Sequence, residues 1–167
     1  VEKEYKELKE KVDRLTSEKN EILNAMNEIE EKKRDAFLET FYHVAKNFER
    51  VFSVLSPNGE GKLILENEDN PFEGGVDIIA RPGGKKFISL RAMSGGEKTI
   101  TTLAFIFAVQ EYSPSPFYIM DEVDAALDKE NSEMLSKLIK EYSKKSQYIV
   151  ISHNDAIISE CDYIYGV

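Results

Sequence analysis

The sequence predicts an α/β domain that carries one long helical strand. Apolar residues recur on heptad spacing through the first 36 positions, short β-branched runs follow, and a strand–helix–strand alternation occupies Phe117 to Ser152. The 167 residues, 41% of them hydrophobic, suffice for one ordinary core plus an appendage. The expected division is a coiled-coil strand over 1–36 and a globular lobe over 37–167.

Val1, Tyr5, Leu8, Val12, Leu15, Ile22, Met26 and Ile29 fall on alternating steps of four and three, with Lys19 and Lys33 in two of the core slots. Glu and Lys crowd the positions between them, and neither Gly nor Pro interrupts, so one continuous helix of roughly 50 residues, about 75 Å long, is expected. The seam slips near Ala36 and Phe37. Beyond it Phe41, Val44, Phe48, Val51 and Leu55 make a bulkier stripe, as where a helix enters a core.

Ser56-Pro57-Asn58-Gly59 supplies the helix stop. Lys62 to Glu66, Val76 to Ala80 and Lys85 to Leu90 then read as short strands of an antiparallel layer, punctuated by Asn-Pro and Gly-Gly. From Ser94 the pattern becomes a helix through Glu111, a strand Phe117 to Met120, a helix of about Lys129 to Tyr142, and a strand Tyr148 to Ser152. The last two strands are apolar without alternation, the pattern of a parallel sheet with helices on both faces. Tyr163 to Val167 reads as an unfinished strand, and with a first residue other than Met the expectation is a piece of a longer chain.

A net charge of -9 is the opposite of the footprint of a surface that holds DNA phosphates unaided, so DNA contact requires partner surfaces or a local patch. Cys161 stands alone and no secretory leader opens the sequence, which fits a reducing cytosol. The longest wholly apolar stretch, Leu103 to Val109, falls far short of the roughly 20 residues that span a bilayer, so no membrane role is expected.

Three constellations carry chemistry. Met93-Ser94-Gly95-Gly96-Glu97-Lys98 opens a helix, where exposed amides and the helix dipole favour an anion. Ser94 and Glu97 also satisfy a capping box that any helix can use, and from these residues alone both readings stand. Asp121 and Glu122 follow a strand directly, where ligands of open α/β sheets bind. An Asp there can hold Mg²⁺ through its water shell, and an adjacent Glu can deprotonate an attacking water. Asp124 is read instead as part of an acidic helix cap, and Asp128 can serve as the N-cap of the helix from Lys129. His153 ends the next strand and shares that sheet edge, whereas His43 lies on the long helix and reads as packing. No stretch fits Gly-x-x-x-x-Gly-Lys followed by Ser or Thr. Gly59-Glu60-Gly61-Lys62 comes nearest, with Ser56 in place of the leading glycine and Leu63 in place of the hydroxyl, so a phosphate cradle has to be borrowed.

Ser94-Gly95-Gly96-Glu97-Lys98 resembles the ABC signature motif, Phe117 to Glu122 resembles Walker B, and Ser152-His153-Asn154 resembles the switch-histidine segment. Asp121-Glu122-Val123-Asp124-Ala125-Ala126-Leu127-Asp128 closely resembles the Walker B and D-loop of structural maintenance of chromosomes (SMC) proteins, although Met93 stands where Leu is usual. The resemblance implies the C-terminal lobe of an ABC-type ATPase head carrying one strand of an antiparallel coiled coil. It implies that a separate N-terminal half brings Walker A, and that the fragment alone is inactive. It implies ATP and Mg²⁺ as cofactors. Asp121 would serve the metal, Glu122 the hydrolytic water and His153 the γ-phosphate, while Ser94, Gly95, Gly96 and Glu97 would reach the nucleotide of a second head, with Asp128 at the junction. A kleisin winged-helix domain, DNA held by the assembled complex, and a cytoplasmic, nucleoid-associated location are implied in the same way. Two rival readings are a coiled-coil ABC ATPase of DNA repair and a non-catalytic coiled-coil scaffold.

Overall fold

Without Gly or Pro before Pro57, helix α1 runs unbroken over Glu2–Leu55 in a computed structural model that describes residues 2–84 and 86–166. By its internal contacts the chain divides into two compact units, Val1–Thr40 and Phe41–Val167. In the first, no described residue is buried, and the seam side chains Tyr5, Leu8, Val12, Leu15, Ile22, Met26 and Ile29 are all exposed. Val1, the first member of the expected seam, lies outside the described residues.

In the second unit the bulkier stripe is the core. Val44, Phe48, Val51, Phe52 and Leu55 are buried on α1, and a Cβ placed on Gly61 would come within 2.8 Å of Phe48 and 2.9 Å of Phe52, so only glycine lets the next strand lie on this stripe. Helix α1 stops where expected, with Asn58 at φ 60° and Gly59 N–H donating to the Ser56 carbonyl.

Strands β1 (Glu60–Leu65), β2 (Val76–Arg81) and β3 (Ile88–Ser89) form an antiparallel sheet in sequential order. Strand β3 is shorter than the sequence suggests: Lys86 and Phe87 lie outside it, and a 3₁₀ turn at Leu90–Ala92 ends it. Lys85, its expected first residue, lies outside the described residues.

Helix α2 (Gly95–Tyr112) leads into a β-α-β unit of strand β4 (Phe117–Asp121), helix α3 (Lys129–Tyr142) and strand β5 (Gln147–Ile151), in which β4 pairs parallel with β5, Phe117 opposite Gln147 through Asp121 opposite Ile151. A short helix, α4 (Asp155–Ser159), follows. The inner face of this sheet packs through Tyr118, Met120, Tyr148 and Val150. Tyr148 stacks on Tyr118 at 5.0 Å and donates its hydroxyl to Gln110 at 2.8 Å, and burial, reinforced by Tyr118, pushes its phenol above the ordinary value.

The outer face departs from expectation. Among the described residues helices cover one side only, and Phe117, Ile119, Ile149 and Ile151 are exposed on the other. Tyr163, Ile164 and Tyr165 form no strand and are exposed, since no described neighbour offers them a ladder; Val167 lies outside the described residues. No helix among the described residues is long and apolar enough to cross a membrane. His43 is exposed, with its ring 5.8 Å from that of Tyr112.

Candidate functional site

The parallel pairing of β4 with β5 brings Asp121, Glu122 and His153 to one sheet edge. Alternation along β4 places Asp121 on the uncovered face with Ile119. Glu122 N–H donates to the Ile151 carbonyl at 2.9 Å, which ends the ladder and turns the chain. Its backbone is left-handed, φ 47°, a conformation unfavourable for a side chain larger than glycine's and frequent at functional sites. His153 Nε2 lies 3.5 Å from Glu122 Oε1; the two side chains are 92% and 56% exposed, so water screens any attraction between them in this chain.

Asp128 caps α3, its Oδ1 accepting from Asn131 N–H at 2.9 Å. Asp124 does not act as the helix cap expected from its neighbourhood. It is buried, and its Oδ2 accepts from Ser152 Oγ at 2.8 Å, because the parallel pairing carries the end of β5 over the turn after β4. Sequence spacing gave no sign of this contact between positions 28 apart, and the only local signal was the hydroxyl beside His153.

At the start of α2, Glu97 Oε2 accepts from both the backbone N–H and the hydroxyl of Ser94, at 3.0 and 2.8 Å, the reciprocal half of a capping box. Ser94 and Gly95 are nevertheless exposed, at the helix end whose amides favour an anion. The two glycines differ. A Cβ on Gly95 would meet nothing within 4 Å, whereas one on Gly96 would stand a tight 3.1 Å from the Ala126 carbonyl oxygen, so close packing of this turn on the segment after Glu122 favours glycine at 96.

Residues 2–167 match the family model described as the RecF/RecN/SMC N terminal domain. The chain belongs to the RecF/RecN/SMC family. Among SMC relatives it is 53% identical over its whole length to the chromosome partition protein Smc of Methanocaldococcus jannaschii and 48% identical to that of Pyrococcus furiosus, spanning 14% of the length of each. The fold is that of an SMC head. It matches, with a TM-score of 0.89 and 48% identity over 97% of this chain and 41% of the other, the Smc head domain with an extended coiled coil bound to the C-terminal domain of ScpA from Pyrococcus furiosus. It also matches a chain from a structure described as structural biochemistry of ATP-driven dimerization and DNA stimulated activation of SMC ATPases, with a TM-score of 0.74 and 47% identity over 80% of this chain and 81% of that one.

Proposed function

We propose that this chain is the C-terminal half of an SMC ATPase head, with residues 1–36 as a coiled-coil strand and 37–167 as the lobe that supplies signature turn, Walker B, D-loop and switch histidine. The observation that carries the reading is the meeting of Asp121, Glu122 and His153 at the ends of two parallel strands in a chain that has no phosphate-binding loop and leaves one apolar sheet face uncovered. The family description names an N-terminal domain. The order of signature, Walker B and switch motifs and the missing loop support the other half. Two likenesses agree. The Pyrococcus furiosus head is more than twice the length of the region matched, leaving room for a second half, and the chain from the ATP-driven dimerization study consists mostly of this region. The relatives are chromosome partition proteins, which favours SMC over the repair-ATPase reading.

The residues fit magnesium. Among the described residues no group of three potential ligands forms a cage, and a single exposed Asp121 carboxylate suits an ion that keeps its waters and takes most other ligands from nucleotide phosphates. When bound with ATP, Mg²⁺ would neutralise charge developing on the phosphates. Glu122 accepts the proton of the water that attacks the γ-phosphorus as the bond to ADP breaks, and its turn holds the carboxylate toward open solvent for this step. His153 donates to a γ-phosphate oxygen. Ser94, Gly95, Gly96 and Glu97 offer their helix N-terminus to the nucleotide of a second head, and Asp128 lies at the junction. ATP then joins two heads and hydrolysis parts them. The complex would organise chromosomal DNA in the cytoplasm, with a kleisin winged-helix domain as a further partner of the head, as ScpA is for the Pyrococcus furiosus Smc.

The test is ATP turnover of this chain alone and after mixing with the half that carries the phosphate-binding loop. Silence alone and turnover together are expected, and Ser94→Arg is expected to abolish nucleotide-dependent pairing while a single head still binds ATP. Persistent inactivity of the mixture with no pairing would support the non-catalytic scaffold.

A further inference from the structure

His153 is almost wholly exposed, so packing does not fix its ring and its position is inherited from the backbone on either side. One hydroxyl holds that backbone. Ser152 Oγ accepts from Asn154 N–H at 3.0 Å, closing a turn around His153, and donates to the Asp124 carboxylate at 2.8 Å. The anchor is firm because Asp124 is only 5% exposed, where a charge-assisted hydrogen bond is strong and little competed for by water. Asp124 also stands two positions after Glu122, and its carbonyl accepts from Leu127 N–H at 2.9 Å, setting the turn that lays Ala126 against Gly96.

We infer that Asp124 and Ser152 are a positioning pair for hydrolysis: the buried carboxylate fixes the His153 turn opposite Glu122 and ties both to the segment packed on the signature turn. Neither side chain touches nucleotide in this role. The inference rests on the ATPase reading above. It predicts an effect on the chemical step and not on ATP capture, since misplacing a group that acts only in the transition state lowers turnover without weakening ground-state binding.

The experiment uses the assembled head, with steady-state turnover, ATP KM and thermal midpoint measured together. Ser152→Ala is expected to lower kcat by about 10- to 100-fold with KM within about twofold. Ser152→Thr, which keeps the hydroxyl, is expected to restore most of the rate. Asp124→Ala is expected to lower kcat at least as far, and the double variant to be no slower than Asp124→Ala, because both remove one interaction. Wild-type kcat in Ser152→Ala, a rise in KM alone, failure of the threonine rescue, or multiplicative losses in the double variant would each overturn the inference. A wild-type assembled head that does not turn over ATP would instead remove the ATPase reading and this inference together.

Discussion

The two faces of the β4–β5 sheet each carry a row of apolar side chains, and the rows meet opposite fates. Met120, Tyr118, Tyr148 and Val150 pack inward, with Met120 5% exposed, while Phe117 and Ile119 on the other face remain 54% and 64% exposed. The same contrast separates the stripe of Phe48, Val51 and Phe52, all fully buried, from the heptad seam of Leu8, Leu15 and Ile29 earlier on α1. Isolated apolar residues on a surface are ordinary, but a strand face or a heptad seam left bare is a surface written for a neighbour. Each such side chain would contribute about 1.5–3 kcal/mol once covered. On the proposed half-head reading, hydrophobic patterning describes the assembled head, and this chain folds around the part of the pattern that it can satisfy by itself.

Substitutions on the two kinds of surface should part company. The largest effect belongs to the open edge: Glu122→Gln is expected to slow phosphate release from the assembled head by about 10²–10⁴, the scale of losing a positioned base, with nucleotide-joined heads persisting and the melting of the chain unchanged. Near-normal turnover would remove Glu122 from the base role. On the closed surface, Phe48→Ala should cost the isolated chain about 3–5 kcal/mol in denaturant unfolding, through lost burial and the cavity left behind. On the bare face, Ile119→Asp should shift the isolated chain by no more than about 0.5 kcal/mol yet prevent capture of the loop-bearing half in a pull-down. Equal losses of stability from Phe48→Ala and Ile119→Asp would mean that the outer face is structural within this chain.

Much of the architecture was legible because it obeys a period. The spacing of Phe41, Val44, Phe48, Val51 and Leu55 marked the buried stripe, and the alternation of strand and helix after Ser94 placed α2, β4, α3 and β5 to within a residue or two. Asp121, Glu122 and His153 were found together because each closes an apolar strand, and parallel strands end at one edge. What stayed hidden depends on neighbours. Apolar runs such as Phe117 to Met120 cannot reveal which face this chain covers, Tyr163 to Tyr165 has strand composition but no ladder to join, and Ser89 ends β3 early because a 3₁₀ turn begins at Leu90. Asp124 was misread because its acidic surroundings suggest a cap, while its partner Ser152 arrives only through the pairing of β5.

The left-handed backbone at Glu122 has an evolutionary corollary. A glycine would sit there with less strain, on the order of 1 kcal/mol, so the easiest route to a sturdier fragment erases the side chain proposed to take the water's proton. On the proposed base role, robustness and turnover thus make opposite demands at a single position.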